Sequence, residues 1–211
     1  FMKLSISRET LLKNLKHMQS VVEKRTSIPI LSNVLLKAEN NRLMTTATDN
    51  DMTVKGGAEA FVETEGATTV SAHKLYEIIS KIPEGVMVNM DLKDSGGRLA
   101  ITAGKAKFSL ACLSPEAFPD TDTLKDGVSF SVPSAAFKKT LGKAIFAASN
   151  DETRQYLNGV YVHVTDDEEP KLRFVATDGH RLSRVEMDLP EGAKDMTATI
   201  LPRKTVGELA K

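Results

Sequence analysis

The sequence predicts an α+β fold in which a β-α-β-β-β unit recurs along the chain. Apolar residues appear at helical spacing directly after a short strand, and three alternating strands follow them. This order then returns at a nearly constant offset, and Ala47-Thr48-Asp49 reappears 129 residues later as Ala176-Thr177-Asp178. A register kept across helix, strand and turn indicates a duplicated folding unit.

The first unit begins with a strand at Lys3–Ile6 and a helix for which Ser7 is the predicted N-cap. Leu11, Leu15 and Met18 form part of the apolar face of this helix. Pro29 favours an extended approach to the next segment. Three strands are then predicted at Asn33–Ala38, Arg42–Ala47 and Met52–Glu63.

The same order follows once more before the linker. A strand at Ala67–Ser71 leads into a helix from Ala72, which Pro83-Glu84-Gly85 ends. Strands are predicted at Val86–Leu92, Leu99–Ala103 and Lys107–Leu113. The polar, turn-rich segment Asp120–Gly127 is typical of a linker, so we predict one domain over residues 1–125 and another over 126–211.

The order begins again near Phe130, at offsets of 126 to 130. Phe130-Ser131-Val132 corresponds to the strand Leu4-Ser5-Ile6, and Leu157 corresponds to Leu31. This copy stops at Lys211, part-way along a helix. An uncovered sheet edge and apolar face would be costly, so we expect a fragment of a longer protein.

Composition excludes several classes of protein. Lys plus Arg and Asp plus Glu both total 28, so the net charge does not indicate an anionic or cationic partner. The single Cys112 cannot form an internal disulfide, and there is neither a membrane-spanning apolar run nor a signal-peptide core. We therefore expect a cytoplasmic protein that does not contact a membrane.

The distribution of charge is uneven, because bases outnumber acids in all four predicted helical stretches. A phosphate backbone would attract basic helices that lie beside acidic sheets. The alternative is that these charges only keep the helix surfaces solvated. No groove-reading helix motif or zinc module is present, so any contact with DNA should be made to its backbone and without sequence preference.

Residues that carry chemistry are sparse. Asp178 and His180, with Asp49 and Asp51, leave open a metal-dependent hydrolase, although three or four convergent zinc ligands are not evident. No nucleophile motif or phosphate-binding glycine loop occurs. We expect neither a catalytic residue nor a cofactor or metal. A repeat protein that binds only other proteins is a further alternative.

The sequence resembles the bacterial sliding clamp family, the beta subunit of DNA polymerase III. The resemblance covers essentially the whole chain, Met2 to Lys211. The motifs that carry it occur in the family's order; they are Pro29-Ile30-Leu31-Ser32-Asn33, Phe108-Ser109-Leu110, Phe118-Pro119, Tyr156-Leu157-Asn158-Gly159, Val175–Leu182 and Pro202-Arg203-Lys204.

The resemblance implies a DNA-clamp fold with helices on an inner, pore-lining face and antiparallel sheets outside. It implies a head-to-tail homodimeric ring with three domains in each chain, of which this chain supplies the first and part of the second, while the third is absent. The ring would encircle duplex DNA as a non-catalytic processivity factor of a nucleotidyltransferase holoenzyme. The polymerase alpha subunit, the clamp loader and other proteins with a clamp-binding motif would be its partners.

Three residue sets follow from the resemblance. The implied peptide-binding pocket contains Leu157, Thr177, Gly179, His180, Arg181 and Leu182. The resemblance implies DNA-facing roles for Arg25, Lys74, Arg154, Arg203 and Lys204, and the charge pattern adds Lys81, Lys138 and Lys139 to this set. The implied dimer interface contains Lys105, Lys107, Phe108 and Leu110, of which the last two also fit a core strand.

Overall fold

The computed structural model describes residues 1–24, 26–93, 97–121, 127–151 and 153–210. The chain forms two compact units that divide after Thr121. The predicted domain boundary between residues 125 and 126 lies in the segment 122–126, outside the described residues.

Unit 1 contains nine strands and two α-helices among its described residues. They are β1 (Met2–Ser7), α1 (Arg8–Val21), β2 (Asn33–Glu39), β3 (Arg42–Thr48), β4 (Thr53–Glu59), β5 (Phe61–Thr64), β6 (Gly66–Ser71), α2 (Ala72–Lys81), β7 (Met87–Leu92), β8 (Arg98–Ala103) and β9 (Ala106–Leu113). Short 3-10 helices cover Pro29–Ser32 and Pro115–Ala117.

Serine hydroxyls cap the N-termini of both helices of unit 1. Ser7 Oγ accepts a hydrogen bond from the backbone N–H of Thr10, and Ser71 Oγ accepts one from that of Lys74. Each hydroxyl satisfies a donor that the first helical turn leaves without a partner. The predicted N-cap at Ser7 is therefore confirmed.

The two halves of unit 1 exchange their first strands. The sheet runs β4-β3-β2-β6-β9-β8-β7-β1-β5, and every described pairing is antiparallel. Strand β6 of the second half therefore lies beside β2 of the first, while β1 of the first half lies beside β7 of the second. This exchange joins both β-α-β-β-β units around one core.

Apolar faces of the helices and strands form that core. Leu11 and Leu15 of α1 and Leu75 and Ile79 of α2 have no exposed surface, and they cluster with strand residues such as Leu36. A fully buried leucine side chain contributes on the order of 1.5–3 kcal/mol relative to an exposed one. Helix α1 packs on α2, β3 and β4.

The predicted single strand Met52–Glu63 is wrong, because the structure breaks it at Ala60. Strand β4 pairs with β3, whereas β5 pairs with β1 at the opposite end of the sheet order. The Ala60 backbone N–H donates to Asn41 O at 3.0 Å where the chain passes between these positions. Both segments are extended, so local periodicity does not reveal the crossing.

Unit 2 repeats the first part of this arrangement. Its elements are α3 (Ser134–Ile145), β10 (Gly159–Val164), β11 (Lys171–Thr177), β12 (Leu182–Asp188), β13 (Thr199–Pro202) and α4 (Arg203–Leu209). The sheet order β12-β11-β10-β13 corresponds to β4-β3-β2-β6 of unit 1. Leu141, Phe174 and Val206 lie in its core, and the Phe137 ring meets that of Phe174 edge-on at 6.0 Å.

The predicted strand Phe130-Ser131-Val132 is also wrong, since this segment has no strand assignment. The corresponding strand β1 is held by hydrogen bonds to β7 and β5. The described residues of unit 2 contain no strand equivalent to β7. The segment therefore lacks the backbone partner that makes β1 a strand.

Candidate functional site

The turn between β11 and β12 is closed by side chains of its own residues. Asp178 Oδ1 accepts from the backbone N–H groups of His180 at 2.9 Å and Arg181 at 3.0 Å. Thr177 Oγ1 donates to Arg181 O at 2.7 Å and accepts from the Gly179 backbone N–H at 3.1 Å. Gly179 has a φ of +90°, which glycine adopts without steric cost.

These hydrogen bonds also set the charge state of the turn. The donors from His180 and Arg181 favour the ionised carboxylate and hold the pKa of Asp178 below its usual value. Arg181 Nε adds an ion pair to Asp178 Oδ2 at 3.0 Å. The turn therefore keeps a carboxylate on its inner side while His180, Arg181 and Leu182 are exposed.

The turn between β3 and β4 of unit 1 has the same hydrogen-bond pattern. Asp49 Oδ1 accepts from the backbone N–H groups of Asp51 at 3.1 Å and Met52 at 2.7 Å, and Thr48 Oγ1 donates to Met52 O at 3.0 Å. Asn50 has a φ of +76° at the position of Gly179. The repeated Ala-Thr-Asp sequence thus marks a shared scaffold, and only the residues displayed on it differ.

The predicted pocket residues lie at one end of the unit 2 sheet. Thr177, Gly179, His180, Arg181 and Leu182 belong to the turn. Leu157 precedes β10, and the pairing of Tyr161 with Val175 brings the start of β10 to the same end. The Leu157 backbone N–H donates to Arg154 O at 2.8 Å, which corresponds to the bond from Leu31 to Ile28 in unit 1.

Two aromatic residues near this end were not predicted. Phe146 is the C-cap of α3 and is 55% exposed, and the Arg181 guanidinium carbon lies 5.6 Å from the centre of its ring. Tyr156, beside Leu157 in sequence, is 70% exposed. With Leu182, these side chains leave apolar surface in solvent. A phenylalanine at a helix end, outside the apolar periodicity, was the available signal in the sequence.

The predicted DNA-facing residues differ in exposure, and two of them form ion pairs. Lys74 and Lys139 are exposed on α2 and α3, as is Lys138, while Lys204 is half-buried on α4. Lys81 Nζ is paired with Glu77 at 2.6 Å, and Arg154 Nε lies 3.4 Å from Asp151 Oδ2. Arg25 lies outside the described residues.

Arg203 is already engaged within unit 2. Its Nη1 donates to Ile145 O and Ala148 O, both at 3.3 Å, at the C-terminal end of α3. The corresponding residue in unit 1, at the offset of 130, is His73, whose Nε2 lies 3.0 Å from Val22 O beside the end of α1. In both units, the side chain at this position therefore links the second helix to the C-terminal end of the first.

The predicted dimer edge is divided between surface and core. Lys105 and Lys107 are exposed and Phe108 is 37% exposed, whereas Leu110 is 8% exposed and packs in the unit 1 core. Strand β9 pairs with β8 along Ala106–Ala111 but with β6 only at Cys112 and Leu113. Within the described part of the chain, residues 106–111 thus have no partner strand on the side away from β8. Leu110 contributes its backbone to this open edge, but its side chain is buried.

A groove of about 1250 Å³ lies in unit 1, away from the predicted residues. Its walls are the end of β1, α1, β4, the turn before β3 and the start of β5, with Met87 of β7. None of the predicted pocket, DNA-facing or interface residues lines it. Its residues do not repeat the turn chemistry of unit 2, so the candidate site remains the β11–β12 turn.

The described residues offer neither a metal site nor a membrane-spanning helix. No group of three or more His, Cys, Asp and Glu side chains there is arranged to hold a metal ion. The described helices are also too short or too polar to cross a membrane. The geometry of the turn, where Asp178 bonds to its own backbone and to Arg181, does not favour the metal-dependent hydrolase.

Comparisons with known proteins agree with this architecture. Residues 2–122 match the model of the DNA polymerase III beta subunit N-terminal domain, and residues 131–211 match that of its central domain. A beta sliding clamp of Caulobacter vibrioides is 47% identical over 98% of this chain, and that of Escherichia coli is 36% identical over all of it. Each alignment covers 56% of the relative, so the chain spans about half of their length.

Solved structures show the same fold. A beta sliding clamp from Caulobacter crescentus with bound polyethylene glycol has a TM-score of 0.94 and 46% identity, covering 99% of this chain and 56% of that one. A sliding clamp from Bartonella birtlesii bound to griselimycin also has a TM-score of 0.94, with 40% identity over 100% of this chain and 56% of that one. The predicted clamp fold is confirmed, and the chain belongs to the DNA polymerase III beta subunit family, the bacterial beta sliding clamps.

Proposed function

We propose that the protein containing this chain is a ring-shaped processivity factor for DNA replication. It encircles duplex DNA without sequence preference and tethers the replicative polymerase to it. The match of both units to consecutive domains of one clamp subunit carries this proposal. It has no catalytic centre of its own, and the nucleotidyl transfer belongs to the polymerase it serves.

The exposed lysines of the helices support backbone contact with DNA. Lys74, Lys138 and Lys139 present charge on α2 and α3 without a groove-reading motif. Contacts with phosphate carry no sequence information, so they leave the ring free to slide. Retention then comes from encirclement and not from tight binding. The domain order is proposed as the first domain followed by part of the second, with the third in the remainder of the protein.

The β11–β12 turn is the proposed docking site for short peptides of the polymerase alpha subunit, the clamp loader and other clamp-binding proteins. Leu157 and Leu182 supply apolar surface beside a rigid backbone turn, which suits aliphatic anchors in an extended peptide. A solved relative from Bartonella birtlesii is bound to griselimycin, so at least one clamp of this family binds a ligand.

The open edge of β9 is the proposed interface of a head-to-tail homodimer. Residues 106–111 pair with β8 on one side only, so their other side offers backbone donors and acceptors to a strand of a second chain. Phe108 adds apolar surface, and Lys105 and Lys107 add charge at the rim.

Retention on DNA of different topology tests the proposal. The full-length protein is loaded onto nicked circular DNA, half of which is then linearised, and bound protein is measured over time at several salt concentrations. We expect rapid loss from linear DNA and slow loss from circles, because only free ends release a closed ring. Equal retention on both would contradict the proposal, whereas blocking the linear ends with bound protein should restore retention.

A further inference from the structure

Two consecutive residues at the start of α1 hold the segment in which α2 ends. Arg8 Nη2 donates to Ser80 O at 3.2 Å, and the Arg8 backbone N–H donates to Val86 O at 3.1 Å. Glu9 Oε1 accepts a hydrogen bond from the Gly85 backbone N–H at 2.7 Å. These three bonds fix the backbone on both sides of the C-terminal residue of α2.

The C-terminal end of α2 depends on partners outside the helix. The helix has 10 residues, and helices of this length are only marginally stable in isolation. Its last carbonyls have no partner within the helix, and the guanidinium of Arg8 supplies a charged donor to one of them. The bond from Gly85 favours the ionised carboxylate of Glu9 and holds its pKa below the usual value.

Helix α2 is attached to α1 at its other end as well. His73 Nε2, in the first turn of α2, lies 3.0 Å from Val22 O at the end of α1. At the offset of 126, Ser134-Ala135 of unit 2 stands at the position of Arg8-Glu9, and neither of these side chains is charged. The charged attachment of the second helix to the first turn of α1 is therefore a feature of unit 1.

The predicted DNA-facing residue at this end of α2 is Lys81. Its side chain is 72% exposed, and its Nζ lies 2.6 Å from Glu77 Oε1. An exposed ion pair of this kind contributes little to stability, so a phosphate can replace the carboxylate as the partner of the ammonium group. The direction of the side chain then depends on the backbone of the last helical turn, which frays where it is not capped.

We propose that Arg8 and Glu9 are positioning residues for DNA, which hold the C-terminal end of α2 so that Lys81 meets a phosphate group of the duplex. This inference rests on the proposed function. Arg8 and Glu9 act through the backbone of α2 and of the turn after it, and neither side chain needs to contact DNA. Their removal should therefore weaken the contribution of Lys81 to DNA binding.

A double-mutant cycle in the full-length protein tests this positioning. Lys81→Gln is made with and without Arg8→Ala, and binding to a short DNA duplex is measured by fluorescence anisotropy at several salt concentrations. We expect Lys81→Gln to lower the log–log slope by about one unit when Arg8 is present and by about half a unit or less when it is absent. Lys139→Gln, on α3 of unit 2, is the matched control and should have the same effect with and without Arg8→Ala.

Conservative variants separate positioning from a loss of the fold. Glu9→Gln keeps an oxygen that accepts from the Gly85 N–H and should preserve the full effect of Lys81→Gln, whereas Glu9→Ala should reduce it. This comparison remains available if Arg8→Ala fails to fold. Amide hydrogen exchange in the last turn of α2 should be faster in Glu9→Ala than in Glu9→Gln, because only the alanine variant loses the bond.

The outcomes distinguish the inference from the function on which it rests. An effect of Lys81→Gln that is the same with and without Arg8→Ala, or no effect of Lys81→Gln by itself, would overturn the inference and leave encirclement of DNA in place. Equal retention of the wild type on linear and circular DNA would overturn the proposed function, and the inference with it.

Discussion

Arg203 donates a hydrogen bond from Nη1 to the carbonyl oxygen of Ala148, 55 residues earlier, at 3.3 Å. The same nitrogen reaches Ile145 O, so one guanidinium holds two carbonyls at the end of α3. His73 lies against Val22 O in the corresponding place of unit 1. A residue that the family resemblance assigns to DNA therefore also joins the two helices of its unit.

Arg203→Ala should destabilise unit 2 by about 1–3 kcal/mol, because two part-buried carbonyls lose a charged donor. Urea unfolding followed by circular dichroism measures the change. Lys139→Ala, which removes an exposed charge from α3, should stay within about 0.5 kcal/mol of the wild type. If Arg203→Ala were as stable as Lys139→Ala, the hydrogen bonds from Arg203 to the end of α3 would not stabilise unit 2.

Gly179→Ala should destabilise the turn by about 1 kcal/mol, because φ at this position is +90° and alanine rarely adopts it. Gly179→Asn should cost less, since Asn50 holds a φ of +76° in the equivalent turn. No atom beyond the two adjacent residues lies within 4 Å of an added Cβ, so a steric clash does not confound the comparison. Thermal unfolding ranks the three proteins, and equal stability of the alanine and asparagine variants would contradict the explanation.

Acidification should open the β11–β12 turn before the sheet. The folded-state pKa of Asp178 is lowered, so its stabilisation is present above the ordinary carboxyl value of 3.8 and is lost as pH falls through the lower folded value. We expect the His180 and Arg181 amide resonances to titrate together below about pH 4. Asp178→Asn should abolish that titration, and an unchanged profile in this variant would assign it to another group.

Lys139→Gln should lower the salt dependence of binding to a short DNA duplex by about one unit of the log–log slope, since one phosphate contact is removed. Lys171→Gln is the matched control, because Lys171 lies on a strand and pairs with Asp188 at 2.7 Å. Fluorescence anisotropy at several salt concentrations measures both slopes. A larger effect of Lys171→Gln would place the DNA contact on the sheet and not on the helices.

Local patterns predicted most of the elements. Ser7 caps α1 as expected, and the strand predicted at Arg42–Ala47 is present as β3. These features depend on residues within a few positions of one another, so a single sequence carries their signal. The turn residues Thr177 to Leu182 were predicted from the family resemblance, and the structure shows how Asp178 shapes them.

Features that depend on distant partners were not predictable in this way. The break at Ala60 follows from the pairing of β5 with β1, and the missing strand at Phe130 follows from the absence of an equivalent to β7 among the described residues of unit 2. Leu110 is buried although its neighbour Phe108 is partly exposed on the same strand. Alternation along a strand does not show which neighbours cover it.

The sequence by itself determined the duplication, the helices and turns, and the family. Those conclusions rest on residue order and short-range spacing, which the chain carries whether or not it is folded. The tertiary structure alone decided that the halves of unit 1 exchange strands, that Arg203 holds the end of α3, and that Phe146 meets Arg181. Each is a contact between residues far apart in sequence, and such contacts exist only after the core has brought the segments together.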